Sequence, residues 1–269
     1  MSKAVKVTLV IATICIVLGL ITTGLAFSIA SFDIRQFSNA SSAVENHYTS
    51  TRSDYSEISI SGVSENYRIV RGTGERLEVT YWEDNQTFFS FREQGSTLVI
   101  REEHKIKLFS FNFSFFGTET VIELPAGFTG TLRLTVVSGG VTIVNVGECD
   151  SLYISTTSGD IRCDGVYTSK EFSVTSVSGD VRCAGAQANR ASFKTTSGSI
   201  KVSELAASTI SVSSVSGDIE ASVKGAATGF KISASSISGR VTVPQGNSNA
   251  AGSISMGSVS GDVRLSFVR

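Results

Sequence analysis

Four aspartates recur in one slot of a repeated motif: Asp160, Asp180, Asp218 and Asp262 each follow a Ser-Gly pair. Two residues further on stand Arg162, Arg182 and Arg264, with Lys201 in the same slot of another unit. Stacked carboxylates beside a basic column could hold a divalent cation or grip an acidic glycan, as in some solenoid polysaccharide lyases. The candidate ligand face is therefore Asp160, Arg162, Asp180, Arg182 and Lys201. A blander alternative is a solvated sheet face whose ion pairs offset like-charge repulsion along the ladder, each exposed pair contributing about 0–1 kcal/mol. Ser199 and Arg240 interrupt the aspartate column and Glu220 the basic one, which favours the blander reading.

Other chemistry finds little support. The two histidines are His47 and His104, so no Ser-His-Asp or Cys-His arrangement can be built within the repeats. No Cys-x-x-Cys spacing occurs, and the Gly-Gly-x-Gly-x-Asp signature of Ca²⁺-binding rolls is absent. Catalytic, cofactor and metal roles are assigned to no residue; the chain is read as a non-enzyme without a cofactor. Cys163 and Cys183 share a core-side slot and should stack. A disulfide is conceivable, but a rung spacing of roughly 4.8 Å is wide for β-carbons that prefer about 3.8 Å, so buried thiols are favoured. In "LFSFNFSFF", Phe109, Phe111, Phe113 and Phe115 form one aromatic face. It could stack on sugars or fill the core of a cap.

What positions the Asp/Arg columns is a repeat. The Ser-Gly pairs end at Gly139, Gly159, Gly179, Gly198, Gly217, Gly239 and Gly261, at spacings of 20, 20, 19, 19, 22 and 22. After each comes an alternating strand, as in Ile161-x-Cys163 and Val181-x-Cys183. Before each lies a second strand, such as Leu132-x-Leu134 or Phe172-x-Val174. The Ser-Gly corner is constant; the opposite corner varies in length, as in "CDGVYTSKE" and "VPQGNSNAAG". Such a unit cannot close a core alone, but units stacked at roughly 4.8 Å can. The expected fold is all-β, a β-solenoid of about 20-residue coils over residues 126–269. A β-sandwich accounts for short strands but not for the same residue type returning to the same slot. Leucine-rich repeats share the period but need another consensus.

Residues 7–30 carry no charge over 24 positions. As a helix they would reach ~36 Å, enough for a hydrocarbon core of ~30 Å. Lys3 and Lys6 precede them, so residues 1–30 read as a single-pass signal-anchor with a cytoplasmic N-terminus and an extracellular C-terminal domain. A cleaved signal peptide ending near Ala30 is the rival. Residues 31–54 form a polar stalk, and 55–125 a non-repeat β region or first irregular coils that cover the end of the solenoid. The net charge of −1 argues against nucleic acid as a partner.

The segments "RIVRGTGERLEVTY", "GSTLVIRE" and "IELPAGF", followed by iterated "SVSGDV" units, resemble the bacterial putative-adhesin family with β-strand repeats, a domain family of unknown function. The resemblance covers about residues 55–269 and implies a β-solenoid at the cell envelope, with no catalytic motif to transfer. The resulting expectation is a membrane-anchored binding or structural module, adhesin-like, contacting a glycan or another envelope protein through its variable corners. The alternatives are an envelope-stress or regulatory component working with a membrane partner, since about six cytoplasmic residues could not signal alone, and a glycan-active enzyme on the Asp/Arg face.

Overall fold

The computed structural model describes residues 43–104 and 119–269. The segment 7–30 and the Phe109–Phe115 face lie outside the described residues. Val44–Ile106 and Gly117–Arg269 make one compact unit. Among the described residues no helix is long and apolar enough to cross a membrane; a 3₁₀ turn spans Ala227–Gly229.

The strands of the first part are β1 (Val44–Thr49), β2 (Glu57–Gly62), β3 (Asn66–Arg71), β4 (Glu78–Glu83), β5 (Thr87–Gln94), β6 (Thr97–His104) and β7 (Glu119–Leu124). Then follow β8 (Thr131–Ser138), β9 (Val141–Ser158), β10 (Ile161–Ser178), β11 (Val181–Ala184), β12 (Gln187–Ser197) and β13 (Ile200–Ser216). The chain continues through β14 (Ile219–Lys224), β15 (Phe230–Ser238), β16 (Val241–Thr242), β17 (Gly252–Ser260) and β18 (Val263–Val268). The long strands β9, β10 and β13 bend round the variable corner and so serve both walls of the solenoid.

One wall runs β5–β6–β2–β8–β9–β10–β12–β13–β17–β15, and the other runs β1–β4–β7–β3–β9–β10–β11–β13–β14–β18–β16. Pairing is parallel except at the start, where β1–β4, β4–β7 and β5–β6 are antiparallel, and it stays in register apart from shifts in the β9–β10, β10–β12 and β13–β14 pairs. This hairpin-built end caps the first rungs, while the 55–125 region also supplies rungs of its own.

Rung order departs from chain order at both ends. The β2–β3 coil lies between β6–β7 and β8–β9. The C-terminal coil, β17–β18, lies between β13–β14 and β15–β16. The repeat spacing specifies a stack but not its sequence of rungs, because Gly239 and Gly261 carry the same corner motif. At the far end the segment 243–251 folds back over β15, with Asn247 N–H bonded to Phe230 O at 2.8 Å.

Inside, equivalent residues meet rung after rung. Val141, Ile161, Val181, Ile200, Ile219 and Val263 form one buried spine. On the other wall, Phe172 stacks on Ala191, and Phe193 one column over meets Phe172 edge-on at 5.3 Å. A large ring beside a small residue keeps the layer filled without overpacking. Fully burying one such aliphatic side chain contributes about 1.5–3 kcal/mol.

The constant corner explains its glycine. Gly179 has φ +142°, and a Cβ there would sit 2.2 Å from Gly159 O of the neighbouring rung. The corner N–H groups continue the ladder, as in Gly159 N–H to Ser178 O at 3.0 Å. Hydroxyls two residues before the Ser-Gly pair help: buried Ser258 Oγ donates to Gly217 O at 3.2 Å, and half-buried Ser236 Oγ to Gly261 O at 2.8 Å.

Candidate functional site

The aspartate column lies at the constant corner, and its carboxylates face along the stack. Asp160 Oδ1 accepts the N–H of Asp180 at 2.9 Å, and Asp180 Oδ1 accepts that of Ser199 at 2.9 Å. Asp218 does the same for Asp262, and Asp262 for Arg240, each at 2.8 Å. Asn66 fills this role for Gly140 at 2.8 Å. Each side chain thus satisfies a corner donor that strand pairing leaves over. The basic column is also engaged. Arg182 lies 2.7 Å from Asp180 and 3.7 Å from Asp160, and Lys201 lies 3.1 Å from Glu220. Arg162 stacks on Arg182 in the same column. The structure therefore brings Asp160, Arg162, Asp180, Arg182 and Lys201 together on one face: one oxygen of each aspartate caps the next rung's N–H, Arg182 bonds Asp180 within its own rung, and Lys201 pairs with Glu220 on the next.

A second polar cluster lies at the first corner. Glu102, whose side chain is fully buried, accepts from Val63 N at 2.7 Å, Ser64 N at 3.0 Å, Tyr67 Oη at 2.8 Å and Ser64 Oγ at 3.0 Å. His104 Nε2 is 2.6 Å from Glu102 Oε1 and 3.3 Å from Ser64 Oγ. Burial alone would raise the Glu102 carboxyl, but donation from His104, Val63, Tyr67 and Ser64 holds it below its ordinary value. A Ser-His-acid relay needs the two partners on opposite ring nitrogens. Here both meet Nε2, so the cluster closes the Val63–Glu65 corner and lacks relay geometry. Sequence reasoning missed it, since Glu102 and Ser64 are far apart in the chain and carry no repeat signature.

The stacked cysteines are close partners across one rung, yet Cys149, Cys163 and Cys183 are all free and buried. Burial pushes the Cys163 thiol well up, Cys183 to about 12 and Cys149 to about 11.

The variable corner carries a groove. A depression of about 570 Å³ is lined by Glu148, Tyr167, Thr168, Ser169, Gln187, Ala188, Asn189 and Ser208. Its shape comes from a bulge. Between paired positions Tyr167/Gln187 and Glu171/Arg190, β10 has one residue more than β12, and the register shifts there. The extra length lifts Ser169 and Lys170, and both are held toward the preceding rung by Asp150: Ser169 Oγ at 3.0 Å and Lys170 Nζ at 2.7 Å. That tilt leaves space on the Asn189–Ser208 side. Bulges commonly re-aim side chains at functional sites. The floor is a column of small inward residues, where Thr168 is register partner to Cys149 and Ala188 to Ala207. Thr168 Oγ1 is buried with no hydrogen-bond partner. The extra residue in "YTSKE" was the only trace of the groove in the sequence.

The domain model of Toastrack DUF4097 matches residues 55–269. The chain belongs to that family. Toastrack DUF4097 is a domain of unknown function, so membership supports the all-β repeat architecture and names no ligand. Solved structures similar to this Toastrack chain include a "putative cell adhesion protein" from Clostridium sporogenes, 10% identical, with 84% of this chain and 100% of that one covered at a TM-score of 0.47. A "putative adhesin" from Bacteroides fragilis is 14% identical, covering 85% and 98%, with a TM-score of 0.47. A "putative lipid binding protein" from Parabacteroides distasonis is 18% identical, covering 84% and 97%, with a TM-score of 0.42. No curated protein matches the chain.

Proposed function

We propose that this Toastrack protein is a membrane-anchored surface module that binds or organises a partner outside the cytoplasm and performs no chemistry on it. One observation carries the reading. Polar groups at the constant corner are used to bond rung to rung, whereas of those around the variable-corner groove Ser169 is held by Asp150 and the side chains of Tyr167, Gln187, Asn189 and Ser208 have no hydrogen-bond partner among the described residues. A scaffold whose carboxylates are spent on its own backbone is built for rigidity, and free polar groups on a rigid scaffold suit recognition. The uncharged stretch 7–30, preceded by Lys3 and Lys6, supplies the anchor and the outward orientation.

The reading is tested in intact bacterial cells expressing the full chain with a C-terminal epitope tag. Protease added outside should remove the tag, and the full chain should sediment with membranes before treatment. A tag protected in intact cells, or a chain recovered in the cytosol, overturns it.

A further inference from the structure

The variable-corner groove has a composition that specifies its ligand class. One wall is the ladder Glu148–Tyr167–Gln187, in register across three rungs. Ser169, Asn189 and Ser208 form the other, with Asn189 and Ser208 on consecutive rungs, and Thr168 and Ala188 lie between. The Tyr167 ring is 48% exposed although it stands on an otherwise polar corner. Among the described residues its hydroxyl, the carboxamides of Gln187 and Asn189 and the Ser208 hydroxyl make no hydrogen bond. Four neutral polar groups thus border a surface depression of about 570 Å³, within the roughly 300–1,000 Å³ range of ligand sites, while Thr168 Oγ1 stays buried beneath it.

The charge pattern excludes other classes. The lining holds no cation and one carboxylate, Glu148, and of the flanking cations Lys170 is paired with Asp150 while Arg190 stands outside the lining, so the groove itself is set for a neutral rather than an anionic ligand. Ala188 and the Tyr167 ring are the apolar surfaces present, too little to seat an acyl chain. What remains is a ligand rich in neutral hydroxyls with a flat C–H face. A pyranose has both: its C–H face packs on an aromatic ring, and its hydroxyls pair with carboxamides and a carboxylate.

We infer that the groove between Tyr167 and Asn189 is a binding site for a neutral oligosaccharide, with Tyr167 as the stacking platform and Gln187, Asn189 and Glu148 as the hydroxyl-reading groups. This rests on the surface-module reading and supplies its ligand class. Ladder geometry favours an extended chain, because polar contact positions follow one another along Glu148, Tyr167 and Gln187 at the rung spacing of roughly 4.8 Å.

The test uses the purified full-length chain and saturation-transfer NMR with chitotetraose, maltotetraose, cellotetraose and a mannotetraose, with tetragalacturonate as the anionic control. At least one neutral tetramer should bind saturably, and tetragalacturonate should not displace it. Y167A and Q187A should each weaken that binding at least tenfold, and Y167W should retain it; both positions are exposed, and unchanged thermal melts confirm folding. Absence of saturable binding by every neutral tetramer overturns the inference, as does binding that Y167A and Q187A leave unchanged or a preference for tetragalacturonate. Failure here with a surface-exposed tag sinks the saccharide site alone. Saccharide binding with a cytosolic tag sinks the surface reading and leaves the site standing.

Discussion

Asp160 and Asp180 occupy the same slot on adjacent rungs, and the carboxylate of the first accepts the main-chain N–H of the second at 2.9 Å. The relationship passes along the corner from Asp180 to Ser199 and, two rungs on, from Asp218 through Asp262 to Arg240. The column proposed from the sequence as a ligand face is, in three dimensions, also a run of backbone caps.

Asp180 therefore matters for stability. D180A orphans the Ser199 N–H and frees Arg182, and should cost about 1–2 kcal/mol. D180N keeps an acceptor oxygen and should stay within about 0.5 kcal/mol of the parent, as should R162A on the solvated face. Urea midpoints distinguish these; equal losses for D180A and R162A would contradict the capping role.

Acid should loosen the first corner. Glu102 is held below its ordinary 4.5 in the folded chain, so its contribution is present above that pH and disappears as pH falls through the lower folded value. E102Q loses a buried charged acceptor of several bonds and should be destabilised by about 2–3 kcal/mol at pH 7. Thermal melts from pH 7 down to pH 3 should show the gap between parent and E102Q closing. A pH-independent gap would rule out the ionised carboxylate as the cause.

Glu204 is strained. It has φ +54° in the slot that Gly165 and Gly185 occupy at +62° and +61°. Left-handed backbone costs a side-chain-bearing residue about 1–2 kcal/mol, offset in part by the freedom glycine adds to the unfolded state. E204G should be stabilising by about 0.5–1 kcal/mol, since the Lys224 contact it removes is exposed and 3.5 Å long. A lower denaturation midpoint for E204G would refute this account.

The three buried thiols should be silent. In a C15S chain at pH 8, Ellman's reagent should find no reactive thiol in the native protein and all three, Cys149, Cys163 and Cys183, after unfolding without reductant. Two missing equivalents would reveal a Cys163–Cys183 bond.

Much of the architecture is legible in the sequence because its causes are local and periodic. Gly179 is where a corner needs positive φ and has no room for a Cβ, and Ile161, Val181 and Ile219 return to one buried column. The intercalated coils are not legible, since any Ser-Gly-x-Val unit can pair with any other. The candidate ligand face was readable as a column, but its use was not, because a carboxylate's partner on the next rung depends on where the corner points. The groove depends on one extra residue in β10 and on Asp150, which pulls Ser169 and Lys170 to one side. Alternation of polar and apolar residues carries no record of that.

The placement of β17–β18 inside the stack has a consequence for synthesis. As the chain emerges from its N-terminus, β15 and β16 have no partner to dock on until residues 252–268 have been made, because only β17 and β18 join them to the body. A stop codon before Gly252 would thus remove two rungs rather than one, and lengthening by tandem duplication at the C-terminus would have to displace the strand that closes the stack.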